Sequence, residues 1–189
     1  VSGGASINKT LFVSFNVSPS GLNNPVFYWE CLNFMEITQG LPIKLMIEIT
    51  ENQTFTITPA IKELIRSLRN KGVLFALDDF GTGYANLCYL NELDLDVIKI
   101  DKTFIKAIKE VEQHIPMLES IIHLSGLLGL RMVAEGVEYG YQQQWLRKNN
   151  VDYLQGYQFL PPVMFDDFMR FYKQSVGLFE SASDSTFSA

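Results

Sequence analysis

Six short apolar runs, each followed by a stretch of helical periodicity, constrain this 189-residue chain more than any other feature. The runs are Leu11 to Val17, Lys44 to Ile49, Val73 to Asp78, Val97 to Ile100, Leu130 to Ala134 and Asp152 to Leu154. Residues Pro25 to Ile37, Pro59 to the stop at Gly72, Asn86 to Leu90, Thr103 to Val111, Pro116 to Leu128, Gln142 to Lys148 and Phe165 to Tyr172 carry helix signals. Thr58-Pro59, for example, supplies an N-cap and a first-turn proline. Ile61, Leu64, Ile65 and Leu68 then fall on one face, and Gly72 ends the pattern. Regular alternation without a linker implies a parallel sheet covered by helices. A (β/α)8 barrel and an open doubly wound sheet both satisfy it. No Gly-x-Gly-x-x-Gly or Walker loop decides between them, and both gather ligands at the C-terminal ends of strands.

Those ends are polar throughout. They carry Asn16, Glu48, the pair Asp78-Asp79, Lys99, Glu135 and Gln155. Strand C-termini of a parallel sheet converge on one rim, so these side chains can meet. Packing does not explain an oxygen or amine after each of six apolar strands. The strongest local signal is Ala76 to Tyr84, where an apolar run empties into two adjacent carboxylates and a Gly81-Thr82-Gly83 loop. A solvated Asp-Asp turn would use the same glycines. Neighbouring carboxylates repel and are costly to desolvate, and a divalent cation is the usual reason to hold them together.

Composition narrows the cation and the ligand. With only His114 and His123, a histidine-built zinc or iron site is not expected; Cys31 and Cys88 form no spaced metal motif. Carboxylate and amide oxygens suit Mg2+ or Mn2+. Asp78 can bridge two ions, with Asp79 completing one, and Lys99 adds a fixed positive charge. The pattern predicts metal-dependent phosphodiester hydrolysis. A net charge of −6 argues against a broad nucleic-acid face. No apolar run is long enough to span a bilayer and no secretory leader is evident, so this segment is expected to be cytoplasmic and to make no membrane contact.

Six motifs stand in order: Phe15-Asn-Val-Ser18, Ile47-Glu-Ile-Thr-Glu51, Asp78-Asp-Phe-Gly-Thr-Gly-Tyr84, Lys99-Ile-Asp101, Ala134-Glu-Gly-Val-Glu138 and Gln155-Gly-Tyr157. Together they resemble the EAL-domain family of bacterial cyclic-di-GMP-specific phosphodiesterases. The resemblance implies a TIM-barrel-like (β/α)8 fold. It also implies hydrolysis of cyclic-di-GMP to linear pGpG with Mg2+ or Mn2+, usually two ions, and inhibition by Ca2+. By matching motif positions it implies that Asn16, Glu48, Asp78 and Asp79 are metal ligands. Lys99 matches the lysine near the nucleophilic water, Glu135 a metal ligand or general base, and Gln155 a glutamine near the water and metal. Glu138 matches a second acid at the rim, and Glu51 the anchor of the loop Phe80 to Ala85, which the family ties to metal binding and homodimer formation. Phe159 and Pro161 match a guanine pocket.

The family's Glu-Ala-Leu strand, with its metal-binding glutamate and nearby phosphate-gripping arginine, has no counterpart before Leu11. The expectation is therefore a barrel lacking about two N-terminal strands. The domain is expected over residues 11–178, after a loose segment at 1–10 and before a disordered tail at 179–189; a parent protein can place a sensory domain ahead of it. The alternative function is a non-catalytic module that binds cyclic-di-GMP or a protein through the same rim. An unrelated α/β metal-dependent hydrolase would require the order of the six motifs to be chance.

Overall fold

The computed structural model describes residues 10–50, 56–81 and 87–172. The expectations for residues 1–9, for Glu51, for most of the loop 80–85 and for the tail lie outside them. Six strands run in chain order: β1 (Leu11–Val17), β2 (Ile43–Thr50), β3 (Leu74–Phe80), β4 (Val97–Ile100), β5 (Arg131–Ala134) and β6 (Tyr153–Leu154). They form one sheet in the order β1-β2-β3-β4-β5-β6, and every pairing is parallel. A doubly wound sheet reverses its strand order at a switch point; this sheet never reverses.

The sheet curls. In a flat sheet β1 and β6 would stand about 24 Å apart, five strand spacings. Instead the Phe12 ring on β1 meets the Tyr153 ring on β6 edge-on, with centroids 5.6 Å apart, and the Arg131 guanidinium lies 5.9 Å from the Phe12 ring centre. The first and last strands therefore approach through side chains without backbone pairing. The result is a partial barrel, as an incomplete TIM-barrel-like fold requires.

Strand periodicity sorts the side chains into two layers. Leu45, Ile47, Ile49, Phe75, Leu77, Ile98 and Ile100 face the helices and build the larger core. Met46, Ala76, Val97 and Val133 form a small inner cluster with Leu74. The outer layer is covered by α2 (Pro25–Ile37), α3 (Pro59–Asn70), α6 (Pro116–Leu127) and α7 (Gly140–Lys148), with short α1 (Pro19–Leu22), α4 (Leu87–Glu92) and α5 (Lys102–Ile105) between strands. A last helix, α8, covers residues 165–172. In α3 the Thr58 hydroxyl accepts from Ile61 N at 3.3 Å, and Ile61, Ile65 and Leu68 are buried on the predicted face. Among the described residues no helix is long and apolar enough to cross a membrane.

Two local readings are corrected. The helix expected over Thr103 to Val111 is only the single turn of α5. The Gln113 side chain accepts from Lys109 N at 2.7 Å and donates to Ala107 O at 3.1 Å. Once a side chain satisfies these backbone groups, a helix is not needed there. The second is α1, which was not expected. Ser18 caps it, accepting from Gly21 N at 3.2 Å, with Pro19 in the first turn.

Candidate metal and phosphodiester site

The polar residues of the rim come from consecutive strand ends. Register sets their heights: Asn16 pairs with Glu48, and Thr50 with Asp78. Between β3 and β4 the register slips. Leu77 pairs with Ile98 and Phe80 with Ile100, so Asp78 and Asp79 together stand opposite Lys99. This is a β-bulge, two residues opposing one. Asp79 adopts φ +55°, the left-handed region that Asp tolerates better than most residues. In a regular strand, neighbours point to opposite faces. Here the bulge brings oxygens of Asp78, Asp79 and Glu135 within 4.8 Å of one another. It also turns Phe80 into the outer core.

Lys99 sits among the acids. Its Nζ donates to Glu48 Oε2 at 2.6 Å and lies 2.9 Å from Asp78 Oδ1 and 2.7 Å from Glu135 Oε1. Lys99, Glu48 and Asp78 are only 5%, 4% and 7% exposed. Burial pushes the lysine toward neutrality, but the close carboxylates of Asp78, Glu135 and Glu48 outweigh it and raise its pKa above the usual lysine range. Glu135 is raised as well. Its burial is the largest cause, the charges of Asp78 and Glu48 add to it, and Lys99 opposes them.

The donor set fits a hard divalent cation. The carboxylates of Glu48, Asp78, Asp79 and Glu135 outnumber the one buried ammonium. Asp78 Oδ1 is buried without a directed hydrogen bond, because its approach to Lys99 is close but misaligned. A buried carboxylate oxygen in that state is suited to a metal.

The other expected residues are placed unequally. Asn16 is exposed on the edge strand β1, beside Glu48 in register. Gln155 is exposed; its N–H donates to Ala134 O at 2.8 Å, and it lines both the barrel interior and an outer cavity of about 800 Å3. Glu138 and Pro161 line that outer cavity with Glu135. Phe159, 40% exposed, does not line it. Gly156 fixes the relation between the two rim loops: a Cβ there would lie 2.2 Å from Val137 O. Asp101 stands in the Lys99-Ile-Asp101 motif but the sequence assigned it no role; its carboxylate caps α5 by accepting from Thr103 N at 2.8 Å. Its place directly after β4, before a threonine, was the available signal.

Residues 3–162 match the EAL domain family. The chain belongs to the EAL family. It is 39% identical over 153 residues to the Escherichia coli K12 protein PdeL, named a cyclic di-GMP phosphodiesterase, a match that covers 80% of this chain and 42% of that protein. The EAL domain of Mycobacterium smegmatis DcpA superposes with a TM-score of 0.75 at 30% identity, covering 85% of this chain and 72% of that one. Klebsiella pneumoniae BlrP1, solved with manganese and cyclic-di-GMP, superposes with a TM-score of 0.63 at 27% identity, covering 77% of this chain and 37% of that one. This EAL chain thus spans less than half the length of PdeL.

Proposed function

We propose that this EAL domain hydrolyses cyclic-di-GMP to linear pGpG with Mg2+ or Mn2+, and that Ca2+ inhibits it. The observation that carries the proposal is the convergence of Asp78, Asp79 and Glu135 around a buried, poorly satisfied oxygen, next to Lys99. Asp78 and Asp79 would hold the cations, with Glu48 and Asn16 on the neighbouring strand ends completing the shell. Such ions, when bound, would activate water and offset charge on the phosphoryl oxygens.

The chain's own residues do the rest. Lys99 Nζ is held in place by three acids, so its positive charge meets the developing charge without reorganisation. Glu135, 2.7 Å from the Lys99 ammonium, either completes that shell or takes the proton of the attacking water. Gln155 stands where the barrel interior opens to the outer cavity and orients water or phosphate there. Phe159 and Pro161 serve the guanylyl part of the substrate, and Glu138 is a second acid that binds substrate at the same rim. We extend the proposal to a homodimer formed through the loop 80–85 with Glu51 as its anchor, to a cytoplasmic location, and to control by a sensory domain in a parent protein.

The test is chromatographic separation of cyclic-di-GMP from pGpG after incubation with Mg2+, Mn2+ or Ca2+. Turnover should require Mg2+ or Mn2+, and Asp78→Asn should lower it by about 10²–10⁴-fold. Turnover that survives a chelator would sink the proposal. A second reading, binding without hydrolysis, is favoured by the absence of backbone pairing between β1 and β6 among the described residues. Tight binding with no turnover under any metal would select it.

A further inference from the structure

We propose that Lys102 and Lys106 form a cationic clamp for the phosphate of the cyclic dinucleotide that is not cut. This rests on the phosphodiesterase reading above. The outer cavity of about 800 Å3 has three kinds of wall. Glu135 and Glu138 form an acidic one, Tyr157, Pro161, Phe165 and Phe168 an apolar one, and Lys102 and Lys106 a basic one. Glu135 belongs both to this cavity and to the cluster with Asp78 and Asp79, so the cavity adjoins a place for the reacting phosphate and adds one for a base and one for the remaining charge.

Both lysines are held toward the cavity by structure. Lys102 opens α5 after the Asp101 cap, and Lys106 N donates to Lys102 O at 2.9 Å, so the two stand one turn apart on the same face. The Ile105 carbonyl between them accepts from the buried Gln142 side chain at 3.1 Å, which ties α5 to α7. Gly136 follows Glu135 at φ +67°, and a Cβ there would lie 2.6 Å from Lys102 Cβ. The Lys102 stem therefore packs directly on the backbone that carries Glu135. Among the described residues neither lysine forms an ion pair, although the chain carries a net charge of −6. Two cations at this spacing repel each other. Beside a site for phosphodiesters, an anionic ligand offsets that repulsion. A cyclic dinucleotide carries two phosphates, the acid cluster with its cations engages one, and the clamp takes the other.

Anisotropy of fluorescently labelled cyclic-di-GMP, with Ca2+ present so that ligand is not consumed, tests the clamp. K102Q/K106Q should weaken binding about tenfold and flatten its dependence on salt, while K102R/K106R should stay within about threefold of wild type. Unchanged thermal melting of both variants establishes that the fold is kept. A dissociation constant for the Gln pair within twofold of wild type overturns the clamp and leaves the phosphodiesterase reading standing. So does an Arg pair as weak as the Gln pair. Wild-type protein that binds no cyclic dinucleotide overturns both, beginning with the phosphodiesterase reading.

Discussion

Glu48 and Lys99, 51 positions apart, share a hydrogen bond of 2.6 Å in which neither side chain is open to solvent. The same ammonium serves Asp78 and Glu135. It is the only counter-charge the protein itself sets within this acid cluster in the described residues.

Replacing that lysine should therefore act on stability before it acts on chemistry. Lys99→Met leaves two buried acids, Glu48 and Asp78, and the half-buried Glu135 without their counter-charge, and breaking a buried pair from one side commonly costs about 3–5 kcal/mol. Thermal melts without metal should show the loss. Added Mn2+ should recover part of it in a concentration-dependent way, as expected for a ligand that binds only the folded state. A melt insensitive to Mn2+ in this variant would argue against a cation among these acids.

Asp79 separates stability from function in the opposite sense. Its φ of +55° is readily available to glycine and strained for a β-branched side chain. Asp79→Gly should fold as well as wild type or better, whereas Asp79→Val should lose about 1–3 kcal/mol in urea denaturation. Both should bind Mn2+ more weakly in calorimetry.

Gly156 admits no side chain. A methyl added there would come within 2.2 Å of Val137 O and 2.3 Å of Val137 N, both backbone atoms, so relief means moving a rim loop. Gly156→Ala should cost about 1–3 kcal/mol, in the range of overpacking, and should also weaken ligand binding at Glu135 and Gln155. Denaturant titration beside a binding assay checks both.

Cys31 should be chemically silent in the native protein. Burial, with the nearby Glu30 charge adding to it, raises its thiol from 9.0 to about 11. Because the folded pKa lies above the unfolded one, the associated stability is intact below pH 9 and declines as pH rises through 9 to 11. Alkylation at about pH 8 should be slow until denaturant is added, and Cys31→Ala should flatten the alkaline part of the stability curve.

Much of this arrangement was legible in the sequence because strands and rims follow short-range rules. Val97 to Ile100 and Pro25 to Ile37 form the very elements their composition predicted, and Glu48, Asp78, Lys99 and Glu135 were recognisable as polar residues closing apolar runs. What escaped were features made at a distance. Gln113 shortens α5 by bonding to Ala107 and Lys109, and Trp145 in turn donates to Gln113 O at 2.7 Å. No local pattern around Thr103 announces that. The choice between barrel and open sheet was likewise a matter of which ends meet, and Phe12 with Tyr153 decides it. The bulge was hidden because Asp-Asp-Phe has the same composition whether or not the strand slips.

That slip also governs which sequence changes β3 can absorb. A strand keeps a parity, inward then outward, and the extra residue between Leu77 and Phe80 inverts it. Substitutions leave the count alone and so preserve the inversion. Loss of one residue resets it. A β3 shortened at Asp79 would regain an unbroken ladder with β4 and a relaxed backbone, but only one acid would remain opposite Lys99. The most regular form of this strand is thus the one that has forfeited its second carboxylate, so a single-codon deletion there could retire the chemistry and leave the domain folded.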